Sequence, residues 1–349
     1  MKANYDIIGI GDCTLDTFVI LEEANVHCNL NHEDCQLCMS FANKIPYQSM
    51  VQLSAGNSNN VSVGMSRLGF KSAFYGTVGA DEHGRIILNA LKKDKVNTSM
   101  MSIQKKFPTN FHIVLSFKGE RTILIKHQPY AYELPPNLAR TNWIYFSSVG
   151  ESGLSLHPKL VKFLQANAHI KMAFNPGTFQ LRLGMEKLMP LMRRTEILFV
   201  NKEEAELLAG RNGGSMEKLA RVLHKHGPKI VVITDGLNGS YCFDRGNFYY
   251  IGIYPHRPIE ATGAGDAFAT GFTAAMMRGL GADEAMRWGA RNGASVATQI
   301  GPQAGLVTKK EMLNSLGAHK QFRAQLMNAE KAAMKERIKA GAAQGRRGR

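Results

Sequence analysis

The stretch Glu260 to Phe268, EATGAGDAF, combines residues that can hold an anion with one that can take a proton. Gly263 and Gly265 flank Ala264 and leave little side chain in the way, so successive backbone N–H groups can turn toward one anion. Ala267, Phe268, Ala269 and Phe272 follow at helical spacing and predict a helix start. First-turn N–H groups lack intrahelical partners and the helix dipole adds positive charge, which suits a γ-phosphate in transfer. Asp266 is out of character in such a cradle. Its carboxylate would repel a phosphate unless it takes the proton of the attacking hydroxyl as a general base. The plain alternative is a helix cap, a role Asp favours.

Other chemistry-bearing residues stand at predicted strand ends. Asp12 and Asp16 follow the apolar run 5–10, with Asp16 placed to grip a hydroxyl and Asp12 read as a turn residue after Gly11. Gly56, Asn57, Ser58, Asn59 and Asn60 crowd amides into a loop before a helix, which serves a polyhydroxylated ligand or, equally, a cap. Asn201-Lys-Glu-Glu204 opens a helix directly after a strand, and Thr234, Gly236 and Gly239 form a glycine turn after the next one. The chain contains no GK[ST] loop, no HRD motif and no GxSxG elbow, so phosphate binding falls to the turn at Gly263 to Gly265.

The elements that must position these residues alternate. Residues 5–10 are nearly all apolar, as in a strand buried on both faces. From 142 onward, strands at 143–147, 171–175, 197–200 and 230–234 alternate with helices, which implies a parallel sheet between two helix layers. Two further helices, 267–278 and 283–298, follow Asp266. Residues 111–117 and 121–127 read as a β-hairpin. With the irregular excursion at 17–52 it could form a small sheet over the site, a lid that excludes water.

A chain of 349 residues, 44% hydrophobic and 20% charged, can bury a sizeable core, and no apolar run is long enough to span a membrane. With no signal-like start, the expected location is cytoplasmic. The net charge of +15 is concentrated at the end, where 318–349 hold nine Lys/Arg against two Asp/Glu. A helical tail with a frayed Gly/Arg end is expected there, and nucleic acid is not, because no aromatic platform accompanies the charge. Cys28, Cys35 and Cys38 cluster beside His27 and His32. They read either as reduced thiols in an inserted segment or as a zinc site built on Cys35-Gln-Leu-Cys38, and no metal ligand is assigned.

A strand-end Asp, a Gly/Asn loop, an NxxE box followed by TxGxxG, and GAGD before a helix stand in one order, which resembles the ribokinase-like, or PfkB, carbohydrate kinases from about Tyr5 to Leu316. The resemblance implies a three-layer α/β/α fold with a mostly parallel sheet and a small β lid. It implies a kinase domain over 1–316, its lid from about 17–52 and 107–130, and a basic tail over 317–349. It also implies transfer of the γ-phosphate of ATP, with Mg2+, to a hydroxymethyl group of a sugar. Asp266 then matches the general base, with Gly263, Ala264 and Gly265 as the anion hole. Asn201 and Glu204 match residues that organise Mg2+ and phosphate. Thr234, Gly236 and Gly239 match the nucleotide turn, and Asn292 a position beside the adenine. Asp16, Gly56 and Asn60 match positions that hold substrate hydroxyls, and a homodimer through the lid is in keeping. Two departures stand out. Ala55-Gly56 replaces a double glycine, and Glu260-Ala261-Thr262 replaces an acidic-Thr-Thr start near which relatives bind a monovalent cation such as K+. A nucleoside kinase, and a non-catalytic sugar-binding protein, are the alternatives.

Overall fold

The computed structural model describes residues 4–29, 35–118, 120–135, 138–211 and 213–327. Its centre is a nine-stranded sheet. From one edge to the other the strands are Gln325–Leu326, Asn247–Ile251, Ser240–Asp244, Ile230–Thr234, Ile197–Asn201, Lys171–Asn175, Thr141–Ser147, Tyr5–Ile10 and Ser72–Tyr75. The last six in that order are parallel, while the first three join antiparallel. Ile7, Ile8 and Ile10 are fully buried because helices cover both faces of the sheet, the arrangement that continuous apolar strands require.

One face packs against Leu160, Leu164, Leu188, Leu191, Leu219 and Leu223. The other packs against Val61, Met65, Phe268, Phe272 and Trp288, from the helices Asn57–Arg67, Ala264–Met277 and Ala282–Val296. The three-layer α/β/α expectation therefore holds. The hairpin Ser240–Asp244/Asn247–Ile251 is an addition that sequence reading passed over. Its signal was present in Arg245-Gly246, both at positive φ (48° and 87°), the two-residue turn that matches strand twist.

A second sheet of four strands, in the order Glu120–Leu124, Phe111–Phe117, Thr14–Leu21 and Tyr47–Ala55, rises beside the first. The expected hairpin is its outer pair, although strand pairing ends at Leu124 and residues 125–127 run on without it. Thr14–Leu21 is itself a strand of this sheet, which therefore begins before residue 17.

Two expectations are corrected. Cys28 and Cys35 lie opposite each other in the small pair Asn25–Cys28/Cys35–Cys38 and are joined as a disulfide, so they are neither free thiols nor zinc ligands. Cys38 stays a free thiol, no metal-holding group of three side chains occurs among the described residues, and His32 lies outside them. The chain after 316 is also not a continuing helix. The helix Lys309–Ala318 ends at His319, and the Arg287 guanidinium takes the carbonyls of Leu316, His319 and Phe322. The chain then turns back, and Gln325–Leu326 adds an edge strand against Tyr249 and Tyr250, with Met327 buried. The folded body thus extends at least to Met327, and the expected Gly/Arg tail lies outside the described residues.

Candidate active site

The helix Ala264–Met277 begins without a side-chain cap. Gly263 precedes it at φ 79°, a left-handed conformation, and a Cβ there would come within 2.4 Å of Pro302. Only glycine fits. A Cβ on Gly265 would meet no atom within 4 Å, because that side of the first turn faces an open cleft. Of the three residues expected to form an anion hole, Ala264 has turned its N–H back to the carbonyl of Ala261 at 3.2 Å. The first-turn N–H groups that follow it, at Gly265 and Asp266, are the ones a helix start leaves without intrahelical partners.

Asp266 is partly buried at the floor of this cleft, where Asn60 Nδ2 donates to its Oδ2 at 2.8 Å. The Asn60 Oδ1 accepts in turn from Gln303 Nε2 at 2.9 Å. Burial pushes the Asp266 carboxyl up to about 6, and the Asn60 hydrogen bond pulls against that rise. A carboxyl at this value is ionised at neutral pH yet basic enough to take a proton, the range a general base needs. Asn60, expected among the substrate-binding residues, thus has both ends of its amide committed to the protein.

Elsewhere along the cleft, Asn201 caps the helix Lys202–Ala209: its Oδ1 accepts from the Glu204 N–H at 2.7 Å, and Glu204 Oε2 accepts from the Asn201 N–H at 2.9 Å. This capping box satisfies two orphan donors and fixes the Glu204 carboxyl at the cleft. Burial, with smaller contributions from the charges of Glu203 and Asp266, pushes Glu204 up to about 6 despite the Asn201 hydrogen bond. Thr234, Gly236, Leu237 and Gly239 line the same cleft, with Leu237 77% exposed and able to cover a flat ring. Asn292 is corrected. It is fully buried, donates to the Ala267 carbonyl at 2.7 Å and accepts from the Val307 N–H at 3.1 Å, so it ties helices together and does not line the cleft. Its helix presents Ala290, Gly293, Ala294 and Ala297 there instead.

Beside the four-stranded sheet stand Asp16, Gly56 and Asp12. Asp16 accepts from the Thr14 hydroxyl and sits 3.4 Å from His112 Nδ1. Gly56 has φ 118°, and a Cβ there would strike the Asp12 carbonyl at 2.4 Å. Asp12 is more than a turn residue. It is buried and accepts from the Gly150 N–H at 2.7 Å, the Tyr132 hydroxyl and His127 Nδ1 at 2.8 Å. The sequence gives no hint of this, since Tyr132, His127 and Gly150 are more than a hundred positions away. Glu260 is buried as well, accepting from the Thr262 N–H at 2.7 Å and the Gly301 N–H at 3.3 Å.

The cleft, of about 920 Å3, therefore brings together the helix start at Gly265, Asp266, the Asn201–Glu204 box, the Thr234–Gly239 turn and Asp16. That volume accommodates a nucleotide beside a second small molecule.

The family model described as pfkB family carbohydrate kinase matches residues 16–309. A 5-dehydro-2-deoxygluconokinase of Shouchella clausii is 24% identical over 282 residues, covering 76% of this chain and 86% of the relative. Among solved structures, an Arabidopsis thaliana ribokinase complexed with ribose and ATP superposes with a TM-score of 0.75 at 20% identity, covering 90% of this chain and 99% of that one. A Methanocaldococcus jannaschii nucleoside kinase superposes with a TM-score of 0.72 at 20% identity, covering 91% and 100%. At these identities the structural likeness speaks for the fold alone.

Proposed function

The chain belongs to the pfkB family of carbohydrate kinases, and from that membership we propose the working parts of its reaction, the transfer of a phosphoryl group from ATP to a sugar. The acceptor atom is a hydroxymethyl oxygen. Asp266 takes its proton as the oxygen–phosphorus bond forms, and the bond from the γ-phosphorus to the β,γ-bridging oxygen breaks to release ADP. The observation that carries this reading is that Asp266, beside an uncapped helix start, and Asp16, near the N-terminus, line one cleft.

Asp16 holds acceptor hydroxyls, the N–H groups at Gly265 and Asp266 receive the charge on the transferred phosphate, and the Thr234–Gly239 turn takes the nucleotide. The hard carboxylate oxygens of Glu203 and Glu204 line the cleft and fit Mg2+. Glu203 and Glu204 would hold that ion together with the nucleotide, since the described residues contain no group of three such ligands. Bound with the nucleotide, Mg2+ supplies charge neutralisation on the phosphates. K+ is carried as a candidate activator, tested by rates with and without it at constant ionic strength.

The four-stranded sheet serves as a lid. Its exposed apolar residues Tyr47, Met50, Val51 and Leu124 support pairing with a second copy, which sedimentation of the full chain would test. A cytoplasmic location fits an enzyme that consumes ATP. The deciding experiment is an ADP-release screen over pentoses, hexoses, sugar phosphates, sugar acids and nucleosides with Mg2+. Saturable sugar binding without ADP release would replace this reading with a binding protein.

A further inference from the structure

The acceptor side of the cleft carries one charge with no counterpart. Among the described residues that line the cleft, Arg121 is the single Lys or Arg, against Asp12, Asp16, Glu203, Glu204, Asp235 and Asp266. The carboxylates nearest the lid have their own partners: Asp12 has Tyr132, Gly150 and His127, and Asp16 has Thr14 and His112. Arg121 makes no ion pair with a described residue. On the neighbouring strand, four residues along from the position opposite Arg121, His112 Nε2 is buried without a hydrogen-bond partner.

Register puts the two on one face. His112 pairs with Asp16 and Arg121 with Ser116, and side chains two apart along a strand share a face, so His112, Val114 and Ser116 line up with Ile123 and Arg121 on the cleft side. A guanidinium fork matches the paired oxygens of a carboxylate or phosphate. We propose that the acceptor is a sugar carrying an anionic group at the end remote from its reacting hydroxymethyl carbon, held by Arg121. This inference rests on the kinase reading and names the substrate class of that site.

The test uses the full chain with Mg2+ and ATP and compares D-gluconate with D-glucose, and D-fructose 1-phosphate with D-fructose. The two pairs distinguish a carboxylate from a phosphate as the recognised group. At least one anionic acceptor is expected to exceed its neutral counterpart in kcat/KM by thirtyfold or more. Arg121→Gln is expected to cut that preference below threefold by raising the KM of the anionic acceptor, with Arg121→Lys recovering part of it. Lys126→Gln, an exposed charge nearby that does not line the cleft, serves as the control for general surface charge and is expected to leave the preference in place. Equal or better turnover of the neutral sugars overturns the proposal and leaves the kinase reading standing. So does an Arg121→Gln effect confined to the KM of ATP. No ADP release with any acceptor removes both.

Discussion

The side-chain amide of Asn60 donates to Oδ2 of Asp266 at 2.8 Å, joining the helix Asn57–Arg67 to the first turn of a helix 206 positions later. Because Gln303 holds the other end of that amide, the carboxylate has one preferred orientation at the cleft floor.

Asp266→Asn is expected to lower kcat at least a hundredfold while ATP binding, followed by calorimetry, is retained. A positioned base is typically worth about 10² to 10⁴-fold. Turnover within tenfold of the parent would remove Asp266 from the base role. The sign of the stability effect differs. The folded value of about 6 lies above the ordinary carboxylate value, so ionisation opposes folding as pH rises from about 4 to about 6, and the full cost is present above that window. The Asn variant should therefore melt no lower than the parent at pH 8.

Asn60→Ala tests orientation against substrate contact. Loss of the hydrogen bond that pulls Asp266 down should move the acid limb of the kcat/KM profile to higher pH and lower kcat about tenfold. A rise in sugar KM with an unmoved pH profile would instead return Asn60 to the substrate-binding role.

Below pH 6 the parent itself should lose activity as Asp266 and Glu204, both raised to about 6 by burial, take up protons. Both carboxyls contribute to the limb, because burial raises each of them. Glu204→Gln, measured alongside, should make that limb less steep.

Gly263 and Gly265 separate folding from function. Gly263→Ala places a Cβ against Pro302 in left-handed backbone, and its melting temperature should fall by several degrees. Gly265→Ala meets no protein atom and favours the helix, so it should melt as the parent does while the KM for ATP rises tenfold or more. An unchanged ATP KM would place the phosphate elsewhere.

Asp16→Ala is expected to raise the acceptor KM at least tenfold with the ATP KM within twofold. Equal effects on both would mean that Asp16 supports the cleft rather than the acceptor.

Sequence by itself determined the alternation of strands and helices, the parallel sheet between helix layers, the hairpin that begins at Phe111 and the placing of Gly263, Gly265, Asp266, Asn201, Glu204 and Thr234 at element ends. These follow from local causes: apolar periodicity, capping preference and the conformational freedom of glycine. Partnerships across the chain were decided only by the tertiary structure. Asn60 could be known as the anchor of Asp266, Asp12 as the acceptor of Tyr132 and His127, and Asn292 as a tie between helices only when distant segments met. The same holds for the disulfide of Cys28 and for the turn of the chain back onto the sheet edge at Gln325–Leu326. Local spacing states what a side chain could do, whereas the packing of remote elements selects which of its hydrogen bonds are already made.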